Sequence, residues 1–254
     1  MATDPVPAEP ILRLDGVVAG YGRLTVLHGT SLDVRPGTIT TVIGPNGAGK
    51  STVFKAIFGL IRVQEGTIHY LGEPVVGLAP RQLLAKGIVY VPQGRNLFPE
   101  LSVRHNLEMG GVTMRDQALL KARVEAVLER FPVLRQKANQ QASTLSGGEQ
   151  KLLELGRGLL LEPKLVLIDE PSIGLAPVIV RRVFDELIRL RDGGVTVLMV
   201  EQNARSALAV SDDALVLEQG RLALAGAAED ILHDPRIGRL FLGGGLTEGD
   251  EPTA

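Results

Sequence analysis

Apolar side chains fall along this chain in two alternating rhythms. Ile11, Leu12, Leu14, Val17 and Val18 predict a first strand, and Leu32 with Val34 a second, before a turn at Pro36-Gly37. Thr38 to Ile43 is a β-branched run ending in glycine, the pattern of a buried strand that feeds straight into a loop. From Val103 to Phe131 the spacing turns helical, with Leu120, Val124, Val127, Leu128 and Phe131 on one face. Core packing suffices to explain that stripe. Three later apolar runs, Leu165–Ile168, Val195–Val200 and Ala214–Leu217, alternate with helical stretches, which predicts a parallel α/β sheet. The expectation is an α/β nucleotide-type core interrupted by a helical insert around residues 95–160. The ends, 1–10 and 243–254, carry acids, prolines and glycines and are expected to be flexible tails.

Composition narrows the function classes. The 254 residues are 44% hydrophobic, enough to bury a sizeable core. A net charge of −2 supplies no basic field for a phosphate backbone, so no nucleic-acid partner is expected. With no cysteine, disulfides and thiolate metal sites are excluded, and His28, His69, His105 and His233 share no ligand spacing. No window approaches the roughly 18 apolar residues of a membrane span. Met1 to Pro10 lacks the basic start and apolar stretch of a signal peptide, so the protein is expected to stay on the side of the membrane where it is made.

Candidate chemistry begins at the end of the third strand. Gly44, Pro45, Asn46, Gly47, Ala48, Gly49, Lys50, Ser51 and Thr52 match G-x-x-x-x-G-K-[ST]. Glycines let backbone N–H groups curl around phosphate oxygens, and a helix opening near Gly49 adds its positive end. Lys50 then reaches the β- and γ-phosphates, and the Ser51 hydroxyl is a ligand for Mg²⁺. The strand before and the helix after supply the context this motif needs. Further on, Leu165 to Ile168 closes on Asp169 and Glu170. Acids at the end of a buried strand are costly unless a cation or a reaction uses them. Asp169 is expected to hold the Mg²⁺ shell, and Glu170 to polarise an attacking water as general base.

Between these motifs lies Leu145-Ser146-Gly147-Gly148-Glu149-Gln150, with Gln150 expected to open an apolar helix running to Leu161. Two glycines and a serine at a helix start can serve an anion or simply cap the helix. Together the three motifs closely resemble those of ABC ATPases, and the resemblance spans about residues 11–243. It implies a P-loop NTPase core with an N-terminal antiparallel β subdomain and an inserted α-helical subdomain, forming one ABC ATPase domain over 11–242. It also implies that Tyr21 stacks on adenine and that Gln93 senses Mg²⁺ where the helical insert joins. The Ser172 to Pro177 loop would communicate across a dimer. One departure stands out: Gln202 occupies the place of a histidine that contacts the γ-phosphate in most of the family. An amide cannot carry a positive charge near neutral pH, so slower hydrolysis or dependence on a partner is expected.

Val200-Glu201-Gln202-Asn203, the segment from Tyr90 to Pro99, Asn106 to Gly110 and the ending Phe241-Leu242-Gly243-Gly244 look like the LivF-type ATPases of branched-chain amino acid importers. Urea and short-chain amide importers have similar subunits, so the cargo stays open between them. The resemblance implies ATP and Mg²⁺ as cofactors, with each ATP buried between the phosphate loop of one subunit and Ser146–Gln150 of a second ABC ATPase subunit, identical or related. It also implies two membrane permease subunits, an external solute-binding protein, and a peripheral location on the cytoplasmic face of the cell membrane. ABC ATPases of DNA repair and chromosome structure usually carry long coiled coils or two cassettes, and this chain has no heptads and one cassette. A scaffold that binds ATP without hydrolysing it fits poorly with an intact Asp169 and Glu170.

Overall fold

The computed structural model describes residues 9–94 and 96–237. The expected tails, apart from residues 9 and 10, lie outside the described residues, as do Arg95 and the Phe241 to Gly244 ending. Two compact units form: one from the residues up to 77 and those from 200 onward, the other from residues 78–199.

The first unit opens with β1 (Leu12–Tyr21), β2 (Leu24–Val34), β3 (Ile39–Ile43), α1 (Lys50–Ile57), β4 (Val63–Tyr70) and the short β5 (Glu73–Pro74). The second unit runs through α2 (Pro80–Lys86), β6 (Ile88–Val91), α3 (Val103–Gly110), α4 (Gln117–Arg130), α5 (Pro132–Gln136), α6 (Gly147–Leu159), β7 (Leu165–Asp169), α7 (Pro177–Asp192) and β8 (Thr196–Val200). The chain then re-enters the first unit with α8 (Ala204–Leu208), β9 (Asp213–Glu218), β10 (Arg221–Ala227) and α9 (Ala228–His233). The first unit holds an antiparallel sheet ordered β2-β1-β4-β5, and the set β10-β9-β3, in which β3 and β9 run parallel. The second holds β8-β7-β6, with β6 and β7 parallel. This is the expected mixed α/β fold with an N-terminal antiparallel β sheet.

The sequence pattern explains which strands are central. Every residue of β3, β7 and β8 is buried, the polar Thr40, Thr41, Asp169 and Thr196 included, as strands covered on both faces must be. β1 opens instead with an in-out alternation, one face buried and one wet. Three strands lie outside the runs that the sequence pattern singles out. β4 buries only Ile68 and Tyr70, β10 buries none of its residues, and both are held by backbone ladders to their neighbours. β6 is a four-residue run, Ile88 to Val91, buried except for the half-buried Tyr90.

The single helical stretch expected over Val103 to Phe131 is two helices. Gly110 and Gly111 together weaken helix continuation, each by about 1 kcal/mol relative to alanine. The Asp116 carboxylate then starts α4 afresh, accepting the N–H groups of Ala118 and Leu119 at 2.9 and 3.0 Å. The apolar stripe of α4 is buried as core. Helix α6 packs at backbone distance against its neighbours. A Cβ on Gly156 would meet Val127 and Leu107, and one on Gly158 would meet Val89.

Helix α6 begins three residues earlier than Gln150, because Ser146 caps it. The Ser146 N–H donates to the Glu149 carboxylate at 2.9 Å, and the Ser146 hydroxyl accepts the Glu149 N–H at 3.4 Å. The Lys137 ammonium lies 2.8 Å from the same carboxylate. Burial pushes the Glu149 carboxyl up, but Lys137 and Ser146 together hold it below the usual range. A depressed carboxyl stabilises the fold above its unfolded pKa, and that contribution is lost as pH falls through the folded pKa. Glu149→Gln should therefore cost about 1 kcal/mol at neutral pH. In urea titrations the difference from the parent should shrink as pH drops below 4.5, and a difference that persists in acid would exclude the charge as its cause.

Candidate nucleotide site

In the first unit, the fully buried strand β3 runs out of side chains at Gly44 and delivers a loop that only glycine can follow. Gly44, Gly47 and Gly49 have φ of 151°, 82° and 99°, in the left-handed region. Space is restricted as well: a Cβ on Gly44 would run into the Leu217 carbonyl, and one on Gly49 would lie 3.0 Å from Leu27. The loop is braced from beneath. The Gly220 N–H, in the turn between β9 and β10, donates to the Ala48 carbonyl at 2.9 Å. The Gly220 carbonyl in turn accepts the His28 N–H at 2.9 Å and the Thr30 hydroxyl at 2.7 Å.

Lys50 opens α1 with its ammonium folded back onto the loop, donating to the carbonyls of Gly44 and Pro45 at 2.8 and 3.0 Å. It is only 6% exposed. No acidic residue sits in the first turn of α1, and no side chain caps Gly49, so the positive end of the helix is left to an anion. Ser51 is half-buried, Thr52 is buried, and Asn46 and Gly47 are exposed at the loop tip. Tyr21 ends β1, 43% exposed, with the Lys55 ammonium 5.4 Å from its ring centre. It lines a cleft with Gly20, Leu60, Ile61, Arg62 and Gln64, and the ring can stack on a flat apolar group. Gln202 lies in this unit too. Its N–H donates to the Glu201 carboxylate at 3.1 Å, and the Glu201 N–H reaches the Val42 carbonyl at 3.3 Å, near the end of β3.

In the second unit, β7 delivers Asp169, 2% exposed, and the Tyr90 hydroxyl donates to its carboxylate at 3.2 Å. Glu170 follows in a left-handed backbone at φ 46°, which a non-glycine residue keeps only where its surroundings demand it. The Gln93 amide donates to the Glu170 carboxylate at 2.8 Å, so these two candidates meet. The signature residues occupy the start of α6. A Cβ on Gly147 would lie 3.2 Å from Leu175, and one on Gly148 would run into Ile179. The two glycines thus also serve packing, against the loop after the acids and the first turn of α7. The Gln150 side chain donates to the Ala142 carbonyl at 3.2 Å and braces the approach to the helix.

Ser51, Gln93 and Asp169 offer hydroxyl, amide and carboxylate oxygens, hard donors that suit Mg²⁺. No group of three or more His, Cys, Asp or Glu gathers among the described residues, and Mg²⁺ that is shared with phosphate and water needs no such cage. Tyr90 and Gly220 contribute through contacts that no motif announces. A tyrosine in a short strand and a glycine in a hairpin turn carry no local sign of what they touch.

The ABC transporter family profile matches residues 27–173. A branched-chain amino acid transport ATP-binding protein, BraG of Pseudomonas aeruginosa, is 44% identical over 92% of this chain and 100% of its own length. A probable branched-chain amino acid transport ATP-binding protein, LivF of Archaeoglobus fulgidus, is 38% identical over 92% of this chain and 99% of its own. Among solved structures, an ATP-binding cassette of an ABC transporter in its ADP conformation superposes with a TM-score of 0.85 at 29% identity, covering 93% of this chain and 100% of that one. With phosphate loop, acid-terminated strand and capped signature helix all formed, the chain belongs to the ABC transporter family as one of its ATP-binding cassette subunits.

Proposed function

We propose that this chain hydrolyses ATP to drive an importer of branched-chain amino acids, working from the cytoplasmic face of the membrane. The observation that carries the reading is the phosphate loop, where the buried Lys50 ammonium rests on the carbonyls of Gly44 and Pro45. This places a buried ammonium donor at the loop that would cradle the phosphates, and phosphate oxygens accept from it as charge-assisted partners. The names of relatives that match nearly end to end support the cargo.

In this reading Tyr21 stacks on the adenine ring. The amides of Gly44 to Thr52 and the Lys50 ammonium hold the phosphates, and Ser51, Gln93 and Asp169 take the metal. When bound, Mg²⁺ neutralises charge on the phosphate oxygens. Glu170 accepts a proton from the attacking water as the bond between the γ-phosphorus and its bridging oxygen breaks, leaving ADP and inorganic phosphate. Gln93 steadies Glu170, and Gln202 offers an amide to the γ-phosphate. The Ser146 to Gln150 segment, with its Ser146 hydroxyl and helix N-terminus, serves the nucleotide of a second ABC ATPase subunit. Closure on ATP and opening after hydrolysis then form a two-state switch biased by the nucleotide. Two permease subunits supply the membrane passage, and an external solute-binding protein delivers the cargo.

Glu170→Gln should keep ATP binding while lowering turnover by roughly 10² to 10⁴, the usual cost of losing a positioned base. Phosphate release and binding of a fluorescent ATP analogue, measured side by side, check this, and parental turnover would remove Glu170 from the role. Lys50→Ala should instead weaken binding itself, visible as a raised dissociation constant in the same titration. The cargo is tested on the solute-binding protein that co-purifies with the membrane complex. It should take up leucine, isoleucine or valine and ignore urea, and the reverse preference would move the chain to the amide and urea importers.

A further inference from the structure

Helix α6 carries two charged side chains that grip a single residue of the loop following Gln93. The Glu154 carboxylate, over nine-tenths buried, accepts the Asn96 backbone N–H on one oxygen at 2.8 Å and the Lys151 ammonium on the other at 2.6 Å. One helical turn on, Arg157 donates to the Asn96 carbonyl and lays its guanidinium 5.3 Å from the centre of the Phe98 ring. Both backbone polar groups of Asn96 are therefore held by one face of one helix.

Packing alone does not call for this arrangement. A buried carboxylate–ammonium pair is often no more stabilising than an apolar pair of the same volume, because both charges lose their water. What hydrocarbon could not supply is an acceptor for the Asn96 N–H. The charge pair earns its place by fixing a loop. That loop begins at Gln93, whose amide is on the Glu170 carboxylate. The opposite end of the same helix is the signature segment, with Gly147 about two turns from Glu154. Gly110 adds stiffness on this side: its backbone approaches the Arg157 carbonyl so closely that a Cβ there would lie only 2.6 Å away.

We propose that Glu154 is a positioning residue and that, with Arg157, it makes α6 a strut between the signature segment and the Gln93 loop. A displacement of Ser146–Glu149 by a nucleotide is carried along the helix to Asn96, and from there to the amide that steadies Glu170. The proposal deepens the transport-ATPase reading and rests on Glu170 being its general base.

The chain contains no tryptophan, so Phe98→Trp in the full chain places a single reporter on the loop. Phe98 is 42% exposed, so a tryptophan there is partly quenched by acrylamide in the parent. In that background Glu154→Ala should raise the quenching further, and it should lower kcat about tenfold to a hundredfold while leaving the KM for Mg·ATP unchanged. Glu154→Gln combined with Lys151→Leu keeps an acceptor for the Asn96 N–H without stranding an ammonium, and should restore both the shielding and most of kcat. Hydrolysis is measured on the purified chain and on the complex with its co-purifying membrane proteins. Parental quenching and kcat in Glu154→Ala would overturn the strut, as would a double variant that melts like the parent yet stays as impaired as the alanine. If Glu154→Ala does not fold, Arg157→Met reports the other half of the same grip by the same two readouts. A parent that never hydrolyses Mg·ATP sinks the transport reading instead, and the quenching alone then decides whether Glu154 holds the loop.

Discussion

A lysine ammonium almost wholly withdrawn from water is the constraint around which the first unit is arranged. The Lys50 ammonium donates to carbonyls that the loop before it turns inward, and the loop can turn because Gly44, Gly47 and Gly49 accept left-handed backbone. Strand β3 brings the chain to that point fully buried, and the Gly220 turn supports the loop from the other side. A loop already curled by its glycines presents this ammonium without first having to fold around a ligand. Preorganisation of this kind lets a binding loop work without first being ordered by its ligand.

The second unit solves a related problem with acids. Asp169 and Glu170 end a buried strand, where carboxylates are tolerated only with partners. Tyr90 donates to the first and Gln93 to the second. The Gln93 loop in turn depends on Glu154 and Arg157 of α6, so the general-base candidate is supported by side chains far from it in sequence. The signature glycines illustrate two demands on one residue. They allow close packing on Leu175 and Ile179, and they leave backbone N–H groups at a helix start that is free of bulky side chains.

Membership of the ABC transporter family places these parts in an ATPase subunit of a transporter. The Gln202 amide, at the position where the family resemblance expects a histidine, carries no charge to the proposed γ-phosphate position. In the proposed mechanism hydrolysis would then lean more on the geometry of Glu170, which a loop pinned at both polar groups of Asn96 would keep narrow.

Local sequence determined a good deal by itself. Glycine spacing, a β-branched strand before it and a helix after it specified the phosphate loop, because backbone conformation there depends on side-chain absence at fixed positions. A β-branched run marked β3 and apolar runs marked β7 and β8, since strands covered on both faces show no alternating polar side. Tertiary structure decided what depends on neighbours. Strand β4 exists through its ladder to β1, distant in sequence, and β10 through its ladder to β9; the Val103 to Phe131 stripe breaks at Gly110-Gly111 and restarts on the Asp116 cap; and α6 starts at Gly147 because Ser146 caps it and Glu149 reaches back to that cap. The partners of Asp169, Glu170 and Asn96 were invisible for the same reason. Periodicity reports which face of an element is buried, and only the packed chain reports which distant donor that face will meet.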